Sequence, residues 1–420
     1  MDKIEIEGGI PLVGEIPISG SKNSVLPILT ACLLTAGSCK ISNVPDLVDI
    51  RTTCLLLEVF GASVDHDNSS TYTIDCSKLT SFEAPYNLVK TMRASCLTLG
   101  PLVARSGKAK VSLPGGCAIG ERPIDQHLKG LKALGAEINL SHGYVEIEAK
   151  RGLTGGQVSF DLTTVTGTMN IMMVATLAKG ETVIKNCALE PEVEALAKFL
   201  NKMGAKIEGA GTNIIHIQGV NSLFPAETSI IPDRIETGTY MVAAAITSGD
   251  LSLTGANVKH VNEISDCLIK CGCQLDVKVG RIRIIGQDEI RSTNIVTSPY
   301  PGFPTDMQAQ MMTLMTLAQG TSVIKETIFE NRFMHVAELR RMGANILISG
   351  NSATVHGVNH LSGAQVMATD LRASASLILA GLATRGVTTV SRVYHLDRGY
   401  ENLVRKLRAV GAKIKRVSSP

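Results

Sequence analysis

The feature that most constrains this chain is an internal repeat. A glycine followed by a small residue recurs after amphipathic stretches as Gly61-Ala62, Gly135-Ala136, Gly204-Ala205, Gly272-Cys273, Gly343-Ala344 and Gly411-Ala412, at spacings of 74, 69, 68, 71 and 68 residues. Six units of about 70 residues therefore account for all 420. Each copy follows a helical pattern, such as Leu196, Phe199, Leu200 and Met203, and precedes alternating apolar residues, such as Lys206-Ile207-Glu208 and Ile215-His216-Ile217. Glycine there predicts a helix C-cap, a position of positive φ. A second marker closes an apolar helical run and opens a strand-like one: Ala36-Gly37, Ser106-Gly107, Lys179-Gly180, Ser248-Gly249, Gln319-Gly320 and Arg385-Gly386.

The unit reads helix, strand, helix, strand, strand. Repetition of it implies an α/β architecture, most simply with three units in each of two domains. A further strand-like piece, Ile4-Glu5-Ile6 to Ile16-Pro17-Ile18, precedes the first unit; it is expected to pair with Ile414-Lys415-Arg416-Val417 and bring the termini into one domain. A solenoid that only presents a surface is the bland alternative, but solenoid repeats run to about 20 to 50 residues, shorter than these.

Composition narrows the function. A net charge of +3 supplies no basic face for duplex nucleic acid, and 4% aromatics with no Trp supply no stacking platform for single strands. Anionic ligands must be met by locally placed Lys and Arg. Ten scattered cysteines and an N-terminus, Met1-Asp2-Lys3-Ile4-Glu5, without an apolar segment read as reduced thiols in a cytoplasmic protein. The apolar stretches around Val25–Leu34 and Ser376–Ala383 are too short to span a bilayer of about 30 Å. Cys267, Cys271 and Cys273 lack a completing ligand for zinc, the histidines show no metal-binding spacing, and no GxGxxG follows a strand, so neither a metal nor a dinucleotide cofactor is expected. His127, near Arg122, reads as an ordinary surface ring.

Three constellations can carry chemistry. In Leu113-Pro114-Gly115-Gly116-Cys117-Ala118-Ile119-Gly120-Glu121-Arg122-Pro123, Glu121-Arg122 replace the Lys-Ser/Thr of a Walker motif, leaving a glycine-rich loop that presents the Cys117 thiol beside the cation Arg122. In Pro299-Tyr300-Pro301-Gly302-Phe303-Pro304-Thr305-Asp306, the acid sits at a helix start; it is either a first-turn acid facing the helix dipole or a general base. Third, Lys22, Arg93, Arg122, Arg332, Arg372 and Arg398 stand in short loop motifs, several beside Asp or Asn. Singly these are solvated charges; together they suit bidentate capture of phosphate and carboxylate.

Assembled, these residues resemble the enolpyruvyl transferases that act on UDP-N-acetylglucosamine, over the whole chain. The matching blocks are Gly20-Ser21-Lys22-Asn23, Pro114 to Gly120, Phe303-Pro304-Thr305-Asp306-Met307-Gln308-Ala309-Gln310, Glu330-Asn331-Arg332-Phe333-Met334-His335, Thr369-Asp370-Leu371-Arg372-Ala373 and Asp397-Arg398-Gly399-Tyr400-Glu401. The resemblance implies an inside-out α/β barrel of two domains, 22–229 and 1–21 plus 230–420. It implies transfer of the enolpyruvyl group of phosphoenolpyruvate to the sugar 3-hydroxyl, without cofactor, metal, nucleic acid, membrane or obligate protein partner. By resemblance, Cys117 is the acid toward the vinyl carbon, able to form adducts with phosphoenolpyruvate or fosfomycin, on a loop that acts as a lid; Asp306 is the base. Lys22, Arg122 and Arg398 hold the donor's phosphate and carboxylate. Asn23, Arg93, Pro123, Ile124, Asp125, Gln126, Ile328 and the segment Leu162, Thr163, Thr164, Val165 contact the nucleotide sugar, and Arg332, Asp370 and Arg372 support the donor.

One departure stands out. Many members read Ser-Val-Gly-Ala-Thr where this chain has Thr164-Val165-Thr166-Gly167-Thr168. The nearest rival, the shikimate-pathway enolpyruvyl transferase, is disfavoured by the Gly-Gly-Cys117 loop. A silent sugar-binding relative is disfavoured by intact Cys117, Asp306 and Arg398.

Overall fold

The computed structural model describes residues 2–66, 70–90, 92–113 and 124–418. The described residues fall into two compact units, one comprising those up to Ser19 and those from Pro232 onward, the other running from Gly20 to Ile231. Each has its own hydrophobic core.

The repeat is borne out and enlarged. Among the described residues there are six four-stranded sheets, and in five of them one edge strand is a piece of two or three residues that the sequence pattern does not show. In the sheet of Thr321–Lys325, Ser352–His356 pairs with that strand antiparallel and Asn345–Ser349 lies beyond it, while Ile295–Val296 lies parallel on the other side. The other five sheets repeat this order. The anticipated pairing of the termini is also found: Lys3–Glu7 lies antiparallel to Lys413–Val417, with Ile6 opposite Ile414, and antiparallel to Val387–Ser391 on its other side. In the sixth sheet the anticipated piece Val13–Pro17 takes that edge, parallel to Asp250–Thr254 over its full five residues. In the second unit, Glu227–Ser229 returns to pair with Ser38–Ser42 and closes the set of three sheets.

The six marker glycines have φ of 100, 91, 100, 104, 98 and 102°, as a C-cap requires. In the second marker the positive φ falls on glycine in five copies; in Ser248-Gly249 it is Ser248, with φ 50°, that makes the left-handed turn.

Helices inside and sheets outside follow from the burial pattern. Arg234–Ile246, Gln308–Met315 and Leu371–Ala383 are buried almost all round and pack on one another. Lys22–Ala31, Leu99–Ser106 and Val165–Ala175 form the equivalent interior of the second unit. Helices apolar on every side have nowhere else to go. Several of their hydroxyls are satisfied within the helix: Thr30, Thr239, Thr313 and Ser374 each donate to a carbonyl four residues back. The second helix of each unit, Pro191–Lys202 for example, buries one stripe, here Val193, Leu196, Ala197, Phe199 and Leu200. Each unit is thus an inside-out α/β barrel. No helix among the described residues is long and apolar enough to cross a membrane.

Candidate active site

Asp306 lies in the turn Thr305–Met307 that leads into the helix Gln308–Met315, but its side chain does not cap that helix. It accepts instead from two guanidiniums, Arg332 Nη2 at 2.5 Å and Arg372 Nη2 at 2.8 Å, whose side chains are 5% and 7% exposed. Burial alone would raise the carboxyl's pKa. Arg372 and Arg332, with a smaller contribution from Arg234, overcome it and hold Asp306 well below the usual carboxylate range. The dipole reading of the sequence therefore gives way to a paired carboxylate.

The guanidiniums are themselves fixed. Arg372 follows Asp370, whose side chain accepts from the Arg372 and Ala373 amides and so caps the helix Leu371–Ala383. Arg372 Nη1 donates to Tyr400 Oη at 3.3 Å, and Tyr400 Oη lies 2.9 Å from Thr239 Oγ1 and 3.3 Å from Gln310 Nε2. Arg332 lies over the Phe329 ring at 5.4 Å. His335, fully buried, is pushed down to about 4 by that burial and by Arg332, against the pull of Asp370, so it is neutral near pH 7. Arg398 ends the turn Val393–Arg398, where its charge contributes with burial to lowering His395. Ile328 is 37% exposed, and its amide donates to Glu326 Oε1 at 2.8 Å.

In the unit from Gly20 to Ile231 the anticipated residues lie at helix starts. Lys22 opens Lys22–Ala31, followed by Asn23; Arg93 opens the turn Arg93–Thr98; Ile124 precedes Asp125–Ala133; Val165 opens Val165–Ala175. Lys22 Nζ is held at 2.6 Å from Asp49 Oδ2, with side-chain exposures of 13% and 4%. Gln126 donates to Asp125 Oδ2 at 2.7 Å and accepts from the Asp161 amide at 2.9 Å. Leu162 is 73% exposed, and Thr163 Oγ1 donates to Asn186 Oδ1. Thr164 caps its helix by accepting from the Gly167 amide at 3.2 Å.

His127 is not the surface ring the sequence suggested. Gly130, where a Cβ would meet Ile171 Cγ1 at 2.5 Å, lets its helix approach Val165–Ala175 closely, and His127 is 3% exposed. Its Nδ1 lies 2.9 Å from Asn170 Nδ2 and its Nε2 3.1 Å from Thr166 Oγ1. Burial first, then Arg93, push its pKa down to about 4, while Asp125 acts in the opposite sense. The cysteines of the rejected zinc pattern are buried, and burial raises Cys267, Cys271 and Cys273 to about 11, 12 and 11.

Cys117, Arg122 and Pro123 lie outside the described residues. Asp49, Glu326 and Tyr400 were missed by sequence reasoning, because nothing in apolar periodicity distinguishes a buried acid or phenol from a solvated one. For Tyr400 a signal existed, its place in Asp397-Arg398-Gly399-Tyr400-Glu401.

The comparisons with known proteins agree in direction. The family described as EPSP synthase (3-phosphoshikimate 1-carboxyvinyltransferase) matches residues 6–407. A UDP-N-acetylglucosamine 1-carboxyvinyltransferase of Trichlorobacter lovleyi is 58% identical over 421 residues, covering 100% of both chains. One of Myxococcus xanthus is 58% identical over 418 residues, covering 99% of each. The crystal structure of the enolpyruvyl transferase NikO from Streptomyces tendae matches with a TM-score of 0.90 at 28% identity, over 100% of this chain and 99% of that one. EPSP synthase from Acinetobacter baumannii matches with a TM-score of 0.78 at 18% identity over 100% of each chain, which shows a shared fold. This chain therefore belongs to the enolpyruvyl transferase family and, within it, groups with the UDP-N-acetylglucosamine 1-carboxyvinyltransferases.

Proposed function

We propose that the chain transfers the enolpyruvyl group of phosphoenolpyruvate to the 3-hydroxyl of UDP-N-acetylglucosamine, releasing phosphate, as the first committed step of peptidoglycan synthesis. The observation that carries this reading is the full-length likeness to enzymes of that name. In the addition, the sugar oxygen bonds to C2 of the donor, its proton passes to Asp306, and Cys117 delivers a proton to the vinyl carbon. In the elimination, C3 loses a proton, the double bond re-forms and phosphate leaves. A carboxylate paired with two guanidiniums is ionised at neutral pH but weakly basic. An anionic donor that shares Arg332 or Arg372 loosens the pair and raises the proton affinity of Asp306, so the base is strengthened when there is a substrate to activate.

Lys22, Arg122 and Arg398 take the donor's anionic groups in this reading. Asn23, Arg93, Pro123 to Gln126, Leu162 to Val165 and Ile328 take the nucleotide sugar, and Arg332, Asp370 and Arg372 support the donor. The reading also makes the chain a cytoplasmic enzyme of cell-wall biogenesis, acting in cell shape and division, and a fosfomycin target through Cys117. We divide it functionally into 22–229 and 1–21 plus 230–420. The deciding experiment is phosphate release from phosphoenolpyruvate with UDP-N-acetylglucosamine or with 3-phosphoshikimate as acceptor, in the parent and in Cys117→Ala and Asp306→Ala. Turnover with the second acceptor alone, or undiminished turnover in both variants, overturns it.

A further inference from the structure

Glu326 is a buried acid, 2% exposed, immediately after the strand Thr321–Lys325. Four donors converge on its carboxylate. Oε2 accepts from Thr305 Oγ1 at 2.8 Å; Oε1 accepts from Thr297 Oγ1 at 2.8 Å and from the Ile328 and Phe329 amides at 2.8 and 3.2 Å. Burying an ion is expensive unless its lone pairs are taken up. Thr297 extends the segment that pairs with Thr321–Lys325, and the carboxylate further bridges the turn holding Thr305 and the Ile328–Phe329 backbone.

Those segments are the two that meet at Asp306. Thr305 precedes Asp306 in the same turn. Phe329 supplies the ring over which Arg332 lies, and Arg332 donates to Asp306. The contacts therefore close a circuit: Glu326 to Thr305, Asp306, Arg332, Phe329 and back to Glu326. Thr297 ties the circuit to its scaffold, since Thr327 donates to it through both its amide and its hydroxyl.

We infer that Glu326 is a positioning residue for enolpyruvyl transfer, fixing Asp306 against Arg332 through Thr305 on one side and the Ile328–Phe329 backbone on the other. The inference rests on the reading of Asp306 as the base. A group that positions a base acts on turnover: displacement by about an ångström lowers the rate up to about 100-fold while substrate binding is largely kept.

The test compares the full-length parent with Thr305→Val, Thr305→Ser and Glu326→Gln in phosphate release from phosphoenolpyruvate and UDP-N-acetylglucosamine. Thr305→Val removes one donor and nearly preserves volume, so it carries the test if Glu326→Gln does not fold. The expected result is a kcat lower by roughly ten-fold or more in Thr305→Val and Glu326→Gln, with KM for both substrates within about two-fold, and recovery of most of kcat in Thr305→Ser. An active parent with Thr305→Val at parental kcat, or with Thr305→Ser no better than Thr305→Val, overturns this inference alone. An inactive parent overturns the functional reading and this inference with it.

Discussion

Arg372 donates to Asp306 across 2.8 Å, and the carboxylate's other oxygen is taken by Arg332. Two nearly buried guanidiniums share one acid, so neutralising the acid strands both. Asp306→Asn is expected to lower kcat on the order of 10²- to 10⁴-fold and to destabilise the fold by about 3 kcal/mol at neutral pH. The pH dependence has a definite sign. Asp306 is depressed in the folded state, so its contribution is present above the unfolded value, near about 4, and is lost as pH falls below it. The stability gap between parent and variant, measured by urea unfolding, narrows below about pH 4. A gap that widens there contradicts the assignment.

Lys22 and Asp49 form a second buried pair, at 2.6 Å in the Gly20–Ile231 unit. Removing either charge leaves the other with little water to replace it. Lys22→Gln and Asp49→Asn are each expected to destabilise by about 2 kcal/mol or more, and the double variant by less than their sum. Additive losses in a double-mutant cycle would show that the ions are stabilised independently.

How far the sequence disclosed this structure depends on length scale. Glycines recurring at about 70 residues mark helix ends whose φ differs little between copies, so the repeat and the fold class are legible. The short parallel strands are not. Ile295–Val296 and Glu83–Ala84 are two residues each, too brief to show an alternation, and Glu227–Ser229 pairs with a strand nearly 190 positions earlier. Candidate charges could be named by residue type and motif, but their partners could not: Asp49 meets Lys22, Glu326 meets Thr297 and Thr305, and Tyr400 meets Thr239, none of them a sequence neighbour. His127 is buried for the same reason: Gly130 seats Ile171 of a helix far along the chain.

His127 gives a prediction about acid stability. With a folded-state pKa near 4, it stays neutral while the unfolded chain takes up a proton below about 6.5, so stability falls as pH drops from about 6.5 toward 4. His335 adds a parallel contribution over the same window. His127→Gln is expected to remove up to about 1.4 kcal/mol per pH unit of that slope. Urea midpoints at about pH 5 and about pH 7 measure it; an unchanged slope would mean that the imidazole titrates normally.

The displaced glycine of Thr164-Val165-Thr166-Gly167-Thr168 has a local cause. A Cβ on Gly167 would meet Thr164 Cγ2 at 2.3 Å, and Thr164 is bound to its rotamer because its Oγ1 caps the helix through the Gly167 amide. The threonine methyl thus disfavours a side chain three residues on; serine removes that shortest contact and leaves only the hydroxyl, at 2.9 Å, to shift for the alanine of Ser-Val-Gly-Ala-Thr. Thr166, where that pattern has glycine, supplies a hydroxyl to His127 Nε2. Gly167→Ala alone is expected to destabilise by about 1 to 2 kcal/mol, through the clash and the weakened cap, and to raise KM for the nucleotide sugar. Thr164→Ser alone is expected to be nearly neutral, and Thr164→Ser with Gly167→Ala to recover most of the loss. The coupling, read from melting temperatures and KM together, isolates one methyl group. If the double variant is no better than Gly167→Ala, the glycine is required by something other than Thr164.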